Sequence, residues 1–323
     1  MPQAQQWAFP EELQPKPSET QFDLARACDA MVMVRAEVPE DAFTAGPLGT
    51  ERGGYGIVIG EGLVLTIGYL ITEATQIWLT TNRNSVVQGY PLAVDSATGF
   101  GLIQPLGRLE AAPLSRGVAS EINVGDSAFV LGHGGLRHAL KVRVIGKQEF
   151  AGPWEYLLDE ALFTAPAHPQ WGGSALLDAQ GDLVGVGSLM MQRELNGEAA
   201  NINMFVPVDL LAPILDSLLA TARSPHPPPP WLGMYTQEAK GRLLVGSVTP
   251  GGPAAQAGVR EADVVLGVGD ERVPGMAELF RAVRRLGPAG VSVPLMLARS
   301  GDVLRVNVKS ADRGDYLRKP NLQ

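Results

Sequence analysis

The chain has 323 residues, of which 45% are hydrophobic and 19% are charged, and its net charge is −8. This composition indicates a globular protein with room for two or three domains, and the acidic balance argues against nucleic-acid binding. The single cysteine, Cys28, excludes an intrachain disulfide, and no apolar run reaches the roughly 18 residues that a membrane span needs.

Residues 1–20 are rich in proline and glutamine, which is typical of an extended arm. Trp7 and Phe9 are the only aromatic residues of this arm, and they either lie exposed or anchor it on a protein surface. The arm has neither the basic start nor the apolar segment of a signal peptide. Taken at face value the sequence predicts a cytoplasmic protein, or a periplasmic one if the natural chain is longer.

Residues 21–222 are expected to form one mainly β domain. Short apolar segments recur there, separated by turn residues, and this spacing is typical of all-β folds. A short helix is predicted over 22–29 and a closing helix over 207–222. The predicted strands are 31–38, 56–59, 63–66, 76–81, 86–94, 100–104, 128–131, 140–145, 157–164, 183–190 and 204–206.

A proline-rich linker over 223–230 is predicted to be stiff, and a second domain over 231–311 and a tail over 312–323 follow it. The second domain carries four motifs in order. They are Trp231-Leu232-Gly233-Met234, the glycine- and alanine-rich turn 248–259, the strand start Asp263-Val264-Val265-Leu266, and a helix with apolar residues at Met276, Leu279, Phe280, Val283 and Leu286.

Residues 168–176 read H-P-Q-W-G-G-S-A-L, where HtrA-type serine proteases usually read N-P-G-N-S-G-G-P-L. Together with the four motifs of the second domain, this stretch makes the chain resemble the HtrA-type family. The resemblance implies a trypsin-like double six-stranded β-barrel followed by a PDZ-like α+β domain. In HtrA-type trimers an N-terminal aromatic segment often lies at the subunit contact, which Trp7 and Phe9 could provide.

The same resemblance places three different residues at the catalytic triad positions. Gly172 takes the place of the serine, Tyr69 that of the histidine and Gly99 that of the aspartate, while Gln170 takes the place of an oxyanion-hole glycine. Glycine has no nucleophile, and tyrosine, with a pKa of about 10, is a poor base at neutral pH. No histidine occurs before His133, so the first barrel has no imidazole.

Two other chemistries stay open. Ser174 and His168 could form a relocated catalytic pair, or else Ser174 bonds to the backbone and His168 caps the loop. His133 and His138 could bind a metal from their glycine-rich loop, although no further ligand stands at a suitable spacing and loop histidines are common. No cofactor is expected.

In PDZ domains the peptide-binding strand follows a Φ-Gly-Φ turn whose N–H groups face a terminal carboxylate. Here that turn is Leu232, Gly233 and Met234. The pocket for the last side chain would include Leu279 and Val283, so an apolar C-terminal residue is expected.

Arginines at 281, 284 and 285 on the same predicted helix should favour acidic residues upstream in the peptide. The alternative is that the groove is filled internally, by the chain's own tail over 312–323 for instance.

The resulting hypothesis is a catalytically inactive adaptor, scaffold or assembly subunit, which binds peptides or proteins through the PDZ-like domain and the barrel groove. Expected partners are protein C-termini and further copies of the chain in a homotrimer, with no nucleic acid and no membrane insertion. The rival hypotheses are an active endopeptidase with rearranged residues and a purely structural subunit of a larger complex.

Overall fold

The computed structural model describes residues 7–195 and 197–318. Within this part, the chain forms two compact units. The first contains residues 7–148 and 160–223, and the second contains residues 149–159 and 224–318. None of the helices in the described ranges is long and apolar enough to cross a membrane.

The first unit begins with a closed antiparallel barrel of six strands in the order β1-β2-β3-β6-β5-β4. Its strands are β1 (Met31–Glu37), β2 (Glu51–Gly60), β3 (Leu63–Ile67), β4 (Gln76–Thr81), β5 (Val86–Val94) and β6 (Phe100–Pro105). Their inward side chains, such as Ile57, Leu65 and Phe100, are fully buried. The predicted barrel is therefore present.

Two short helices accompany this barrel. Helix α1 (Leu24–Asp29) begins at Asp23, whose carboxylate accepts the Arg26 N–H at 3.0 Å as an N-cap. Helix α2 (Ala45–Leu48) lies in the segment between β1 and β2.

The second six strands also form a closed barrel, in the order β10-β11-β12-β9-β8-β7. They are β7 (Ser127–Leu131), β8 (Leu140–Gly152), β9 (Tyr156–Ala165), β10 (Ala175–Leu177), β11 (Leu183–Leu195) and β12 (Glu198–Pro207). Its core includes Val130, Leu176 and Phe205, all fully buried. Helix α3 (Ala212–Thr221) follows the last strand and buries Ile214 and Leu218.

The second unit contains a sheet in the order β13-β14-β15-β17-β18, with β16 paired to β15. The strands are β13 (Met234–Ala239), β14 (Arg242–Val248), β15 (Val264–Val268), β16 (Glu271–Arg272), β17 (Ser292–Arg299) and β18 (Asp302–Lys309). Helices α4 (Pro253–Gln256) and α5 (Met276–Arg285) complete it, and α5 buries Leu279, Phe280 and Val283. Strand β13 is an edge strand of this sheet.

Candidate functional site

Tyr69 and Gly172 lie side by side in the first unit. Tyr69 stands on a 3₁₀ turn (Gly68–Leu70) directly after β3, and its hydroxyl donates to the Ser188 carbonyl at 2.9 Å. A Cβ added to Gly172 would lie 2.8 Å from this hydroxyl. Burial raises the pKa of Tyr69 above its ordinary value, so the phenol stays neutral. The phenol therefore occupies the space that a side chain on residue 172 would need.

Gly99 lies against the turn that carries Tyr69. Its carbonyl accepts the Gly68 N–H at 2.7 Å, and its φ of +82° is a conformation that favours glycine. The nearby carboxylate of Asp95 accepts both the N–H and the hydroxyl of Thr98, each at 2.7 Å. The Asp95 carboxylate thus stabilises the turn that it forms with Thr98.

Gln170 directs its backbone N–H at a histidine. This N–H donates to His168 Nδ1 at 3.1 Å, and the Gln170 side chain accepts from the Tyr55 hydroxyl. His168 Nε2 lies 3.0 Å from the His138 carbonyl, so this nitrogen carries the ring proton. Burial lowers the pKa of His168 to about 4, so the imidazole is neutral at physiological pH. Both ring nitrogens of His168 already have partners.

The Ser174 hydroxyl does not form a hydrogen bond with the His168 ring, because both groups have other partners. The buried Ser174 hydroxyl donates to the Trp171 carbonyl at 2.8 Å. His133 Nε2 lies 3.1 Å from the Thr81 carbonyl, and the His138 ring packs on Trp7. Across residues 7–195 and 197–318, no group of three or more His, Cys, Asp or Glu side chains could hold a metal.

A pocket of about 640 Å³ opens beside this region of the second barrel, and its lining is mostly apolar. The lining residues are Arg143, Ile145, Ala165, Pro166, Ala167, Pro169, Met190, Ala200 and Asn201. Such a pocket can take an apolar side chain of an extended segment.

In the second unit, the turn Leu232-Gly233-Met234 has the expected form. Gly233 has φ +73°, and Leu232 and Met234 are buried in one cluster with Leu279 and Val283. The five residues predicted to bind a peptide are therefore together in space. The N–H groups of the turn converge on a carboxylate, that of Glu155, with N–O distances of 2.7, 2.7 and 3.0 Å for residues 232, 233 and 234.

Sequence reasoning missed Glu155. It stands between β8 and β9, 77 to 79 residues before its partners, and no local motif marks it. Burial raises the pKa of Glu155 to about 7, although the three N–H donors act in the opposite direction. The charged carboxylate is therefore costly to bury even with three donors.

Comparison with known families identifies both units. Residues 54–186 match the trypsin-like peptidase domain, and residues 230–310 match the PDZ domain. The chain is 26% identical over 284 residues to the serine-protease homologue HhoA of Synechocystis sp., covering 79% of this chain and 69% of HhoA. It is 23% identical to a DegP-like periplasmic serine endoprotease of Halomonas elongata, covering 81% of this chain and 57% of that protein.

Solved structures show the same fold. The HtrA-type protease AlgW, determined with a tripeptide, superposes with a TM-score of 0.53 at 17% identity, covering 92% of this chain and 97% of AlgW. The serine endoprotease of Yersinia pestis gives 0.53 at 19% identity, covering 89% and 95%. In sequence and in fold the chain is accordingly similar to HtrA-type serine proteases, with one segment that matches the trypsin-like peptidase domain and a C-terminal segment that matches the PDZ domain.

Proposed function

We propose that this protein is a catalytically inactive HtrA homologue that binds the C-termini of other proteins through its PDZ domain. It would act as an adaptor, scaffold or assembly subunit. Residues 231–311 would supply the binding site, and the apolar pocket of the second barrel could hold a further extended segment.

The proposed lack of catalytic activity rests on one contact. The Tyr69 hydroxyl stands where a nucleophile on residue 172 would have to be, and a neutral phenol is a poor general base. The backbone N–H of Gln170 is engaged by His168, so it is not directed at a position where it could stabilise an oxyanion.

The rival proposal is an endopeptidase that uses Ser174 and His168. Three hydrogen bonds argue against it, because the Ser174 hydroxyl donates to the Trp171 carbonyl and both nitrogens of His168 are engaged. Casein turnover should therefore not exceed the buffer blank. A turnover signal that survives repurification and disappears with Ser174→Ala would favour the rival.

The proposed binding of protein C-termini rests on one observation. The N–H groups of Leu232, Gly233 and Met234 already hold a carboxylate, which is the chemistry that capture of a C-terminus requires. The apolar cluster of Leu279 and Val283 with this turn suits a terminal Val, Leu, Ile or Ala.

Calorimetry tests the binding half. A pool of decapeptides ending in Val, Leu, Ile or Ala is titrated into the full-length chain and its Glu155→Ala variant, and the same peptides are titrated as C-terminal amides. The free acids should bind at least about tenfold tighter than the amides, because only a carboxylate pairs with all three N–H groups. Equal affinity of acid and amide, or no binding to either protein, would contradict carboxylate capture.

A further inference from the structure

The carboxylate-binding turn of the PDZ domain is occupied by the protein itself. The occupant is the hairpin tip formed by residues 149–159, called here the plug hairpin, which belongs to the same compact unit as the turn. Glu155, at its apex, has φ +64°, and its two carboxylate oxygens accept all three N–H groups of the turn. A side-chain carboxylate thus takes the place of a terminal carboxylate.

The plug hairpin also reaches the strand edge that a peptide would use. Strand β13 pairs with β14 on one side only, and on its other side the Thr236 N–H donates to the Pro153 carbonyl at 3.2 Å. A bound peptide needs this same free edge to add as a strand. The hairpin and a peptide therefore compete for one backbone position.

The hairpin also contributes an apolar side chain to the core of the second unit. Leu157 of the plug hairpin is 5% exposed and packs in the same cluster as Leu232, Met234, Leu279 and Val283. These four residues form the pocket expected for the last side chain of a ligand. Leu157 supplies an apolar side chain to the same cluster.

Helix α5 supplies a fourth set of contacts. Arg281 of α5 forms an ion pair with Glu149 of the plug hairpin, and Asp159 lies 3.7 Å from the same guanidinium. Arg284 reaches the Leu157 carbonyl at 3.5 Å. These arginines were expected to select acidic residues in a ligand, and acidic residues of the hairpin meet one of them.

We propose that the plug hairpin is an intramolecular ligand of the PDZ domain, and that a partner C-terminus binds only by displacing it. This inference rests on the proposed function, because displacement matters only if the domain binds C-termini. The contacts of the hairpin indicate what a partner needs in order to replace it. The partner needs a free carboxylate, an apolar residue for the cluster of Leu279 and Val283, and acidic residues for Arg281.

Burial of Glu155 supports a displaceable plug. Its raised pKa shows that three N–H donors do not fully compensate for the loss of water around the charge. Arg313 and Arg284 are the positive side chains that interact with this carboxylate electrostatically, and neither forms a direct ion pair with it among the contacts of the described residues. A carboxylate held in this way can be displaced by the carboxylate of a competing peptide.

The fraction of molecules in which the hairpin is docked sets the expected change in peptide affinity. If the hairpin is docked in nine molecules out of about ten, the apparent affinity for a peptide falls about tenfold. Glu155→Ala removes the docking carboxylate and should raise the affinity of the full-length chain for the acid peptide pool by up to about tenfold. Glu160→Ala is the matched control, since it removes the same charge from the same hairpin strand, where Glu160 pairs with Lys147 at 3.5 Å.

The test compares the wild type, Glu155→Ala and Glu160→Ala by calorimetry with that pool, and by hydrogen exchange at residues 232–236. We expect tighter peptide binding and faster exchange in Glu155→Ala alone. Equal peptide binding by all three proteins would overturn the plug while leaving the proposed function in place. Unchanged exchange in Glu155→Ala would also overturn it, even if no peptide binds. Absence of binding to every variant, with exchange accelerated in Glu155→Ala, would instead refute the proposed function.

Discussion

The Tyr69 hydroxyl and Gly172 depend on each other at the scale of single residues. A side chain on residue 172 would place its Cβ 2.8 Å from the Tyr69 oxygen, which is closer than real Cβ atoms come to other groups. The same oxygen donates to the Ser188 carbonyl, so it cannot move away without losing a buried hydrogen bond. The residues at positions 69 and 172 are therefore sterically coupled.

Gly172→Ser should lower the free energy of unfolding by about 1–3 kcal/mol in the wild type, because the new atoms overpack the site. In a Tyr69→Ala background the same change should cost less, with a coupling of about 0.5 kcal/mol or more in a urea-unfolding double-mutant cycle. Gly53→Ser is the control, since no atom lies within 4 Å of a Cβ there. Additive effects of the two changes would contradict the contact.

His168 should make stability depend on pH. Its pKa falls from 6.5 to about 4 on folding, so between these values the unfolded chain binds the proton and the folded chain does not. Stability is complete above pH 6.5 and is lost as the pH falls towards 4, by about 2 kcal/mol between pH 7.5 and 5. His168→Gln should flatten this slope in chemical denaturation, and His226→Gln, at an exposed position, should not. An unchanged slope in His168→Gln would refute this assignment.

At the scale of elements, residues 7–20 of the N-terminal arm pack on the second barrel. The Phe9 N–H donates to the Arg137 carbonyl at 3.0 Å, and the Phe9 ring lies 5.1 Å from that of His168. Trp7 lies 4.3 Å from the ring of His138, measured between centroids. The arm is thus held by edge-to-face ring contacts and at least one backbone hydrogen bond.

Phe9→Ala should therefore lower the free energy of unfolding by about 1–2 kcal/mol, through the lost ring contacts and apolar burial. Val124→Ala, at a side chain that is 60% exposed, should change it by no more than about 0.5 kcal/mol. Thermal and urea unfolding of both variants measure this. A Phe9→Ala protein as stable as the wild type would show that the arm does not dock in solution.

Strand positions were predictable from the sequence where one face of the strand is buried. Strands β1 to β7 begin and end close to the predicted bounds, because their side chains alternate between core and surface. The exception is β2, which begins at Glu51, although only 56–59 was expected. Strand β12 runs from Glu198, although only 204–206 was expected, since its first four residues are exposed or half-buried and carry no apolar alternation.

Some residues of the candidate sites were likewise predictable from the sequence, and others were not. Tyr69, Gly99, Gly172 and the PDZ turn could be named as candidates from the sequence because motifs of fixed spacing locate them. Glu155 was not, because its role depends on a contact across more than 70 residues, and a lone glutamate between two strands has no distinguishing neighbours. Internal filling of the groove was an open alternative, but it was assigned to the tail and not to the hairpin over 149–159.

At the scale of the whole molecule, we propose a homotrimer, as the resemblance to HtrA-type proteins implies. Light scattering of the intact protein should give about three times 34.3 kDa. A Trp7→Ala/Phe9→Ala variant tests whether the arm takes part, and a smaller mass for this variant is expected if it does. A strict monomer at micromolar concentration for both proteins would contradict the trimer.

The loss of the nucleophile is the claim on which the proposed function depends most. Intact-mass spectrometry after incubation with a fluorophosphonate tests it directly, with an active trypsin treated in parallel as the positive control. We expect the trypsin to gain one adduct and this protein to keep its mass, because Gly172 has no hydroxyl and the Ser174 hydroxyl is buried against the Trp171 carbonyl. A stoichiometric adduct that disappears with Ser174→Ala would contradict the claim and make the protein an active serine hydrolase.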